Sequence, residues 1–191
     1  MLFRLFVSLS VAIGLSSCGQ NVKKTSIKSY ILGVNPAHEA YKPMIRMLIR
    51  DYNGNVGSEV LQYSESLDSA NSEVIITKGL EARDGKVGWG QWSSSTERKG
   101  TVVAVPGVKS SETTKYSLQV EFDEEFLKTN EKVTANGLPN YELRKLFAHE
   151  IGHGFQLDHD PDVKQVMYMD ISGEKNFDTY WPKIQAFFSQ K

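Results

Sequence analysis

The feature that most constrains this chain is a stretch of helical periodicity, Asn140–Phe155, that carries two histidines four residues apart near its end. Asn140 can cap the first turn, and Glu142 lies where the helix dipole favours a negative charge. An α-helix turns by about 100° per residue, which gathers the apolar side chains into one stripe. The residues of this stripe, expected to face the core, are Leu143, Phe147 and Ile151. The segment is therefore predicted to be an amphipathic helix packed on a hydrophobic core.

The two histidines lie on a second face of this helix. His149 and His153 are about 40° apart around the axis and about 6 Å apart along it. Two imidazoles at this spacing can bind one tetrahedral metal ion such as zinc. Glu150 projects between this face and the core stripe, so it can reach a metal-bound water without becoming a ligand. Because catalytic zinc usually takes three protein ligands plus water, His159 is the candidate for the third ligand.

A methionine turn follows the histidines: Met167 and Tyr168 come eight and nine residues after His159. With the segment His149–His159, this spacing resembles the metzincin clan of zinc endopeptidases, and within it the matrixins, whose pattern is HExxHxxGxxH followed by a methionine-containing turn. The resemblance implies a zinc-dependent endopeptidase in which Glu150 is the catalytic base and Met167 forms an apolar floor beneath the metal. The ligands that it implies for one catalytic zinc are His149, His153 and His159.

Apolar periodicity along the rest of the chain predicts a mixed α/β layer. Helices are predicted at 43–53, 140–155 and 181–189, and strands at 27–34, 59–63, 73–77, 86–92, 101–105 and 116–122. The resemblance adds that residues 29–191 form one α+β domain. It implies a twisted, mostly parallel sheet of about five strands with an antiparallel edge strand, two main helices and a C-terminal helix. It also implies that a peptide substrate lies along an exposed strand edge, expected at 86–92 with 101–105 as the alternative.

Three departures from the matrixin pattern affect these expectations. Gln156 replaces the glycine that permits the bend before the third histidine. A left-handed non-glycine residue costs roughly 1–2 kcal/mol, which a zinc site worth about 10 kcal/mol can offset; alternatively, Gly154 ends the helix early. Met169 replaces the proline after the Met-Tyr pair, so the wall of the specificity pocket is expected to differ. The inhibitory pro-segment cysteine is absent and residues 19–28 are too few for a pro-domain, so an enzyme made in its active form is expected.

The N-terminus has the order of a secretory signal: a positive charge at Arg4, an apolar stretch over 5–15, and then small residues. Cys18 follows directly, which resembles the bacterial lipoprotein processing site. We therefore expect a signal peptide at 1–17, lipidation of Cys18 and a polar tether at 18–28. A plain signal peptide is the alternative, but Cys18 has no partner thiol for a disulfide. Gly19 is not the aspartate associated with inner-membrane retention, which favours the outer membrane of a bacterial envelope.

Other features of the sequence weaken competing roles. The formal net charge of −1 leaves no basic stripe for nucleic acid. The expected partners are a protein or peptide substrate and, through the lipid, a membrane; a monomer is expected. Calcium stays open as a second metal, since the resemblance implies that matrixins use it, but no clear motif supports it: 51–62 lacks the glycine and glutamate of a calcium loop, and 123–125 is interpreted as a helix start or an exposed face. His38 is interpreted as a surface residue, and Glu174 as a weaker candidate for the third ligand than His159.

Two alternatives to a peptidase remain open. A zinc-containing envelope binding protein without turnover would have the same histidines, but a purely structural site needs no base at Glu150. Only Gln156 favours that alternative. The other is a structural envelope lipoprotein without metal, which a zinc analysis of the purified protein distinguishes from the first two hypotheses.

Overall fold

The computed structural model describes residues 29–81, 85–99 and 111–189. Within these ranges one sheet contains β1 (Tyr30–Val34), β2 (Leu61–Ser64), β3 (Ser72–Thr77), β4 (Gly88–Lys99) and β5 (Ser111–Asp123). The strand order is β2-β1-β3-β5-β4, and every neighbouring pair is parallel except β4 with β5. The predicted mixed α/β class is therefore confirmed, with a mostly parallel five-stranded sheet and an antiparallel edge strand, β4.

Four helices accompany the sheet in the described part of the chain: α1 (Lys42–Val56), α2 (Glu124–Asn130), α3 (Tyr141–Gly154) and α4 (Tyr180–Ser189). The predicted cap of α3 is confirmed, since Asn140 Oδ1 accepts a hydrogen bond of 2.8 Å from the Glu142 N–H. Asp123 caps α2 through the Phe126 N–H at 3.0 Å, as expected for a helix start. No helix among the described residues combines the length and apolar character needed to cross a membrane.

Helix α1 is longer than the sequence indicated. It does not stop at 53–55 but continues to Val56, and the chain leaves it through Gly57 at φ +77°. The predicted end was wrong because Gly54 fits inside the helix, with open space around it. The left-handed glycine that ends α1 is the next one along the chain, as is common at helix C-termini.

Strand β4 also exceeds its predicted length, because it continues past Trp92 to Lys99. The polar run after Trp92 has no apolar alternation, which is why its sequence did not indicate a strand. Backbone pairing with β5 holds it in the sheet. The predicted strand at 101–105 and residues 1–28, with the predicted lipidation site Cys18, lie outside the described residues.

Helix α3 lies in the core with its predicted apolar stripe facing inward. The stripe residues are each at most 1 % exposed: Leu143, Phe147 and Ile151. The hydroxyl of Tyr180 in α4 donates to the Ala148 carbonyl in α3, and it shares a hydrogen bond of 2.8 Å with the hydroxyl of Tyr52 in α1. The helix that carries the histidines is therefore fixed by contacts with both of these helices.

Strand β4 approaches the backbone of α3 most closely at Gly90. A Cβ atom at Gly90 would lie 2.3 Å from the Glu150 carbonyl oxygen, and one at Gly88 would lie 2.8 Å from Glu150 Oε1. The contact at Gly90 is with the backbone of α3, so only glycine allows this approach, whereas at Gly88 the close atoms are side-chain ends that can shift. The two glycines thus place the edge strand directly beside Glu150.

Candidate metal centre

Helix α3 and the loop after it bring the three predicted ligands together. His149 and His153 project from consecutive turns of α3, and His159 returns from the loop. One ring nitrogen from each histidine lies within 4.8 Å of the other two, and the ring centroids are 4.9 to 5.3 Å apart. The three side chains therefore lie close enough to bind one metal ion. Over the described ranges, neither His38 nor Glu174 belongs to this group.

Two backbone carbonyls set the orientation of the helical histidines. His149 Nδ1 lies 2.8 Å from the Val166 oxygen, and His153 Nδ1 lies 3.0 Å from the Leu157 oxygen. A carbonyl can only accept, so each Nδ1 carries the hydrogen and the lone pair of the neutral ring is on Nε2. Hydrogen bonds of this kind fix the tautomer of metal-binding histidines. Sequence reasoning could not identify these carbonyls, because every residue type has one.

The bend that returns His159 to the site is centred on Gln156, which has φ +61°. The Gln156 N–H donates to the His153 carbonyl at 3.0 Å, and the Leu157 N–H donates to the Gly152 carbonyl at 3.1 Å. This is the Schellman pattern, with Gln156 at the position that glycine usually fills. Gly154 is the last residue of α3, but the left-handed residue is Gln156. The chain therefore makes this left-handed bend with glutamine, at the position where the matrixin pattern has glycine.

Replacing Gln156 by glycine is expected to raise the free energy of unfolding by about 1 kcal/mol, because the left-handed conformation then costs no Cβ strain. Urea unfolding of the metal-free protein would measure the change. The matched control is Gln62→Gly in the extended strand β2, which is expected to lower stability since glycine has more conformational freedom to lose. Equal destabilisation by both changes would show that Gln156 stores no strain.

The methionine turn is packed against α3 and the His159 loop. Met167 is 3 % exposed, and a Cβ at Gly152 would lie 2.5 Å from its sulfur. The Asp160 N–H donates to the Met167 carbonyl at 2.8 Å, which ties the turn to the segment just after His159. Tyr168 has the Lys175 ammonium 5.0 Å from its ring centroid. The turn therefore supports both parts of the chain that supply the histidines.

Glu150 is a buried carboxyl at the edge of an open cleft. It is 5 % exposed, and burial raises its pKa to about 8, against the opposing effect of the Lys86 ammonium. Burial of the His149 imidazole lowers the pKa of His149 to about 4, and the neighbouring rings of His153 and His159 act in the same direction. Burial also lowers the pKa of His153. Both helical histidines are therefore neutral at pH 7 and have a lone pair for a metal ion.

In the metal-free protein, Glu150→Gln is expected to raise the free energy of unfolding at pH 8 by roughly 3–5 kcal/mol, at about 1.4 kcal/mol per pKa unit. The unfolded chain releases the Glu150 proton near its ordinary pKa of 4.5, whereas the folded chain keeps it up to about 8. Stability from this group is therefore present below pH 4.5 and lost as the pH rises to 8. Urea unfolding with chelator at pH 4.5 and 8 measures the gain.

This pH dependence has two controls. The exposed Glu174→Gln variant corrects for the amide substitution itself. The difference between wild type and Glu150→Gln should fall to about 0.4 kcal/mol at pH 4.5, where the folded wild-type chain holds the proton and the unfolded chain is half protonated. A stability difference that is the same at pH 4.5 and pH 8 would contradict a buried, proton-binding Glu150.

The histidines and Glu150 open onto a cleft of about 1210 Å³ that follows the beginning of β4. Trp92 lines this cleft and is 38 % exposed. Leu146 and Ile171 also line the cleft, together with Met169, which is 70 % exposed. Met169, which stands where the matrixin pattern has proline, is therefore part of the cleft wall.

No protein-family model matches the chain, and no curated protein gives a significant match. The function is therefore inferred from the site itself. Three imidazoles with ring nitrogens within 4.8 Å of one another suit a metal ion that prefers nitrogen ligands. A buried carboxyl, Glu150, lies on the same helix as two of these histidines, and all four side chains open onto the same cleft.

Proposed function

We propose that this protein is a zinc metalloendopeptidase of the metzincin type, similar to the matrixins. The observation that carries the proposal is the placement of three converging histidines and a buried carboxyl, Glu150, on one cleft beside an edge strand. A site that only held a metal would have no use for Glu150, whose burial is unfavourable in the charged form.

Zinc is the metal that this donor set supports best. Three histidines with a fourth position left for water are a common ligand set of catalytic zinc. The hydrogen bonds from Nδ1 of His149 and His153 to backbone carbonyls leave Nε2 free in both rings. His159 is exposed, which suits a ligand on the cleft side. Calcium, which prefers oxygen ligands, has no comparable support.

The reaction requires a group that moves a proton between water and the leaving amine. When bound, zinc would supply Lewis-acid polarisation of a water molecule and of the scissile carbonyl. Glu150 accepts the water proton and later donates it to the leaving amine. Its pKa of about 8 in the metal-free protein falls when a dication is bound nearby, because the opposite charge favours the carboxylate. Met167 supports the histidines from beneath and takes no part in proton transfer.

The substrate in this proposal is a protein or peptide that lies extended along the outer edge of β4. The cleft follows Gly88–Trp92, and Gly90 brings this edge next to Glu150. An added strand there would form backbone hydrogen bonds with β4. The protein is proposed to act as a monomer. It is proposed to be tethered through lipid on Cys18 to a bacterial outer membrane, and this tether depends on the sequence of 1–19 alone.

Metal removal and return tests the proposal. The full chain in mild detergent would be incubated with an unfolded protein, with and without 1,10-phenanthroline, and fragments followed by mass spectrometry. We expect cleavage that the chelator abolishes and that one equivalent of zinc restores. Cleavage that survives complete zinc removal would contradict the proposal. A zinc-loaded protein that cleaves no unfolded protein would favour the binding-protein alternative.

A further inference from the structure

Strands β4 and β5 extend well beyond the rest of the sheet. They pair over twelve residues, from Gly88 with Phe122 to Lys99 with Ser111. Strand β3 covers β5 only over 119–123. The pairs between 93–99 and 111–117 therefore form a two-stranded ribbon without a third strand among the described residues, which we call the arm.

The outer edge of the arm continues the edge that lines the metal cleft. β4 is the last strand in the sheet order, so its outer backbone groups are unpaired along its whole length within the described residues. Gly88–Trp92 line the cleft, and the same strand runs on without a break to Lys99. Twelve strand residues span about 40 Å, more than twice the length of the cleft portion alone.

On the β4 strand of the arm, the side chains that are described are all polar. Ser93, Ser94 and Ser95 are all exposed, and Ser93 shares a hydrogen bond of 2.7 Å across the ribbon with Ser117. Two large aromatic residues neighbour this run: Trp92, 38 % exposed at the junction of cleft and arm, and Tyr116, which pairs with Ser94 and is partly buried against the core. A partner of the arm therefore has backbone groups to bind rather than an apolar patch. An isolated two-stranded ribbon is marginally stable in water, and a third strand would stabilise it.

We propose that the arm extends the substrate-binding edge, so that one unfolded polypeptide pairs with β4 both in the cleft and along 93–99. This inference rests on the proposed function and specifies its substrate class: long, extended chains in preference to short peptides. Binding through the backbone makes the added segment tolerant of sequence. If the added strand is antiparallel to β4, the arm binds the part N-terminal to the cleaved bond; if it is parallel, the arm binds the C-terminal part.

Peptides of defined length test the arm. A cleavage site mapped in an unfolded protein would be made as an eight-residue peptide, and then with eight Ser/Thr/Gln residues added at either end. We expect one of the two extensions to raise kcat/KM by about tenfold or more, mainly through a lower KM, because it adds several backbone hydrogen bonds. The zinc-loaded Glu150→Gln variant should bind the same long peptide at least about tenfold more tightly than the short one.

N-methylation of the peptide backbone provides the control without altering the protein. Methyl groups on alternate residues of the extension block strand pairing in one of the two registers, so one methylated peptide should lose the gain and the other keep it. Equal kcat/KM for all peptide lengths, or a gain that survives methylation in both registers, would overturn the arm proposal. Cleavage of the short peptide would still support the proposed peptidase activity. Failure to cleave any peptide or unfolded protein would overturn both.

Discussion

Replacing Glu150 by glutamine is expected to lower kcat/KM for cleavage of an unfolded protein by a factor of about 10² to 10⁴, the usual contribution of a general base. Glutamine has nearly the same size and cannot accept the proton of the attacking water. Zinc content should remain at one ion per chain, because Glu150 projects beside the three histidines and is not one of them. Fragment release and zinc content would be measured on the same preparation.

The matched control for this loss is Glu174→Gln. Glu174 is exposed and lies outside the histidine group among the described residues, although its sequence position made it an alternative third ligand. Its variant should keep both zinc and activity. Activity retained by Glu150→Gln would show that Glu150 is not the catalytic base. Zinc lost from Glu174→Gln would show that Glu174, and not His159, is the third ligand.

Removing a helical histidine is expected to have the largest effect on metal binding. His153→Ala should lower the zinc content from one ion per chain to less than about 0.1 after dialysis. Only two imidazoles would then remain as ligands, and they would bind zinc too weakly to keep it. In the wild type, zinc at about 1,000 times its dissociation constant adds about 4 kcal/mol to stability, which for a chain of this size raises the unfolding temperature by on the order of 10 °C. His153→Ala should lose that zinc-dependent increase.

His153 is chosen over His149 because His149 is almost fully buried, so its truncation would also leave a cavity. His159→Ala is the second variant, since His159 is exposed and its removal should leave the fold unchanged. It should lose zinc as well. His38→Ala is the control, and it should bind zinc like the wild type. Undiminished zinc binding by both His153→Ala and His159→Ala would place the metal elsewhere.

Much of the fold could be predicted from local patterns. The stripe of Leu143, Phe147 and Ile151 is a property of one helix, and all three are buried as expected. Asn140 caps that helix because its side chain competes for the same N–H groups in any context. The ligand histidines converge because two share a helix face and the third follows a short loop. Each of these features depends on residues close together in sequence.

Features that depend on distant parts of the chain were not predictable. Nothing local to Gly90 indicates that its Cβ would meet the Glu150 carbonyl, sixty residues away in sequence. The carbonyls that orient His149 and His153 belong to Val166 and Leu157, whose side chains are irrelevant to that role. The polar half of β4 is a strand because β5 pairs with it, and that pairing leaves no signal in its own composition.

The most direct test of the account is to determine the metal and its ligands in the full chain purified with zinc. Metal analysis would give the zinc content, and X-ray absorption at the zinc edge would give the neighbouring atoms. We expect one zinc per chain, bound by three imidazole nitrogens at about 2.0–2.1 Å and one further oxygen. A well-folded protein without zinc, or zinc with fewer than three imidazoles, would contradict the metal centre from which the proposed function follows.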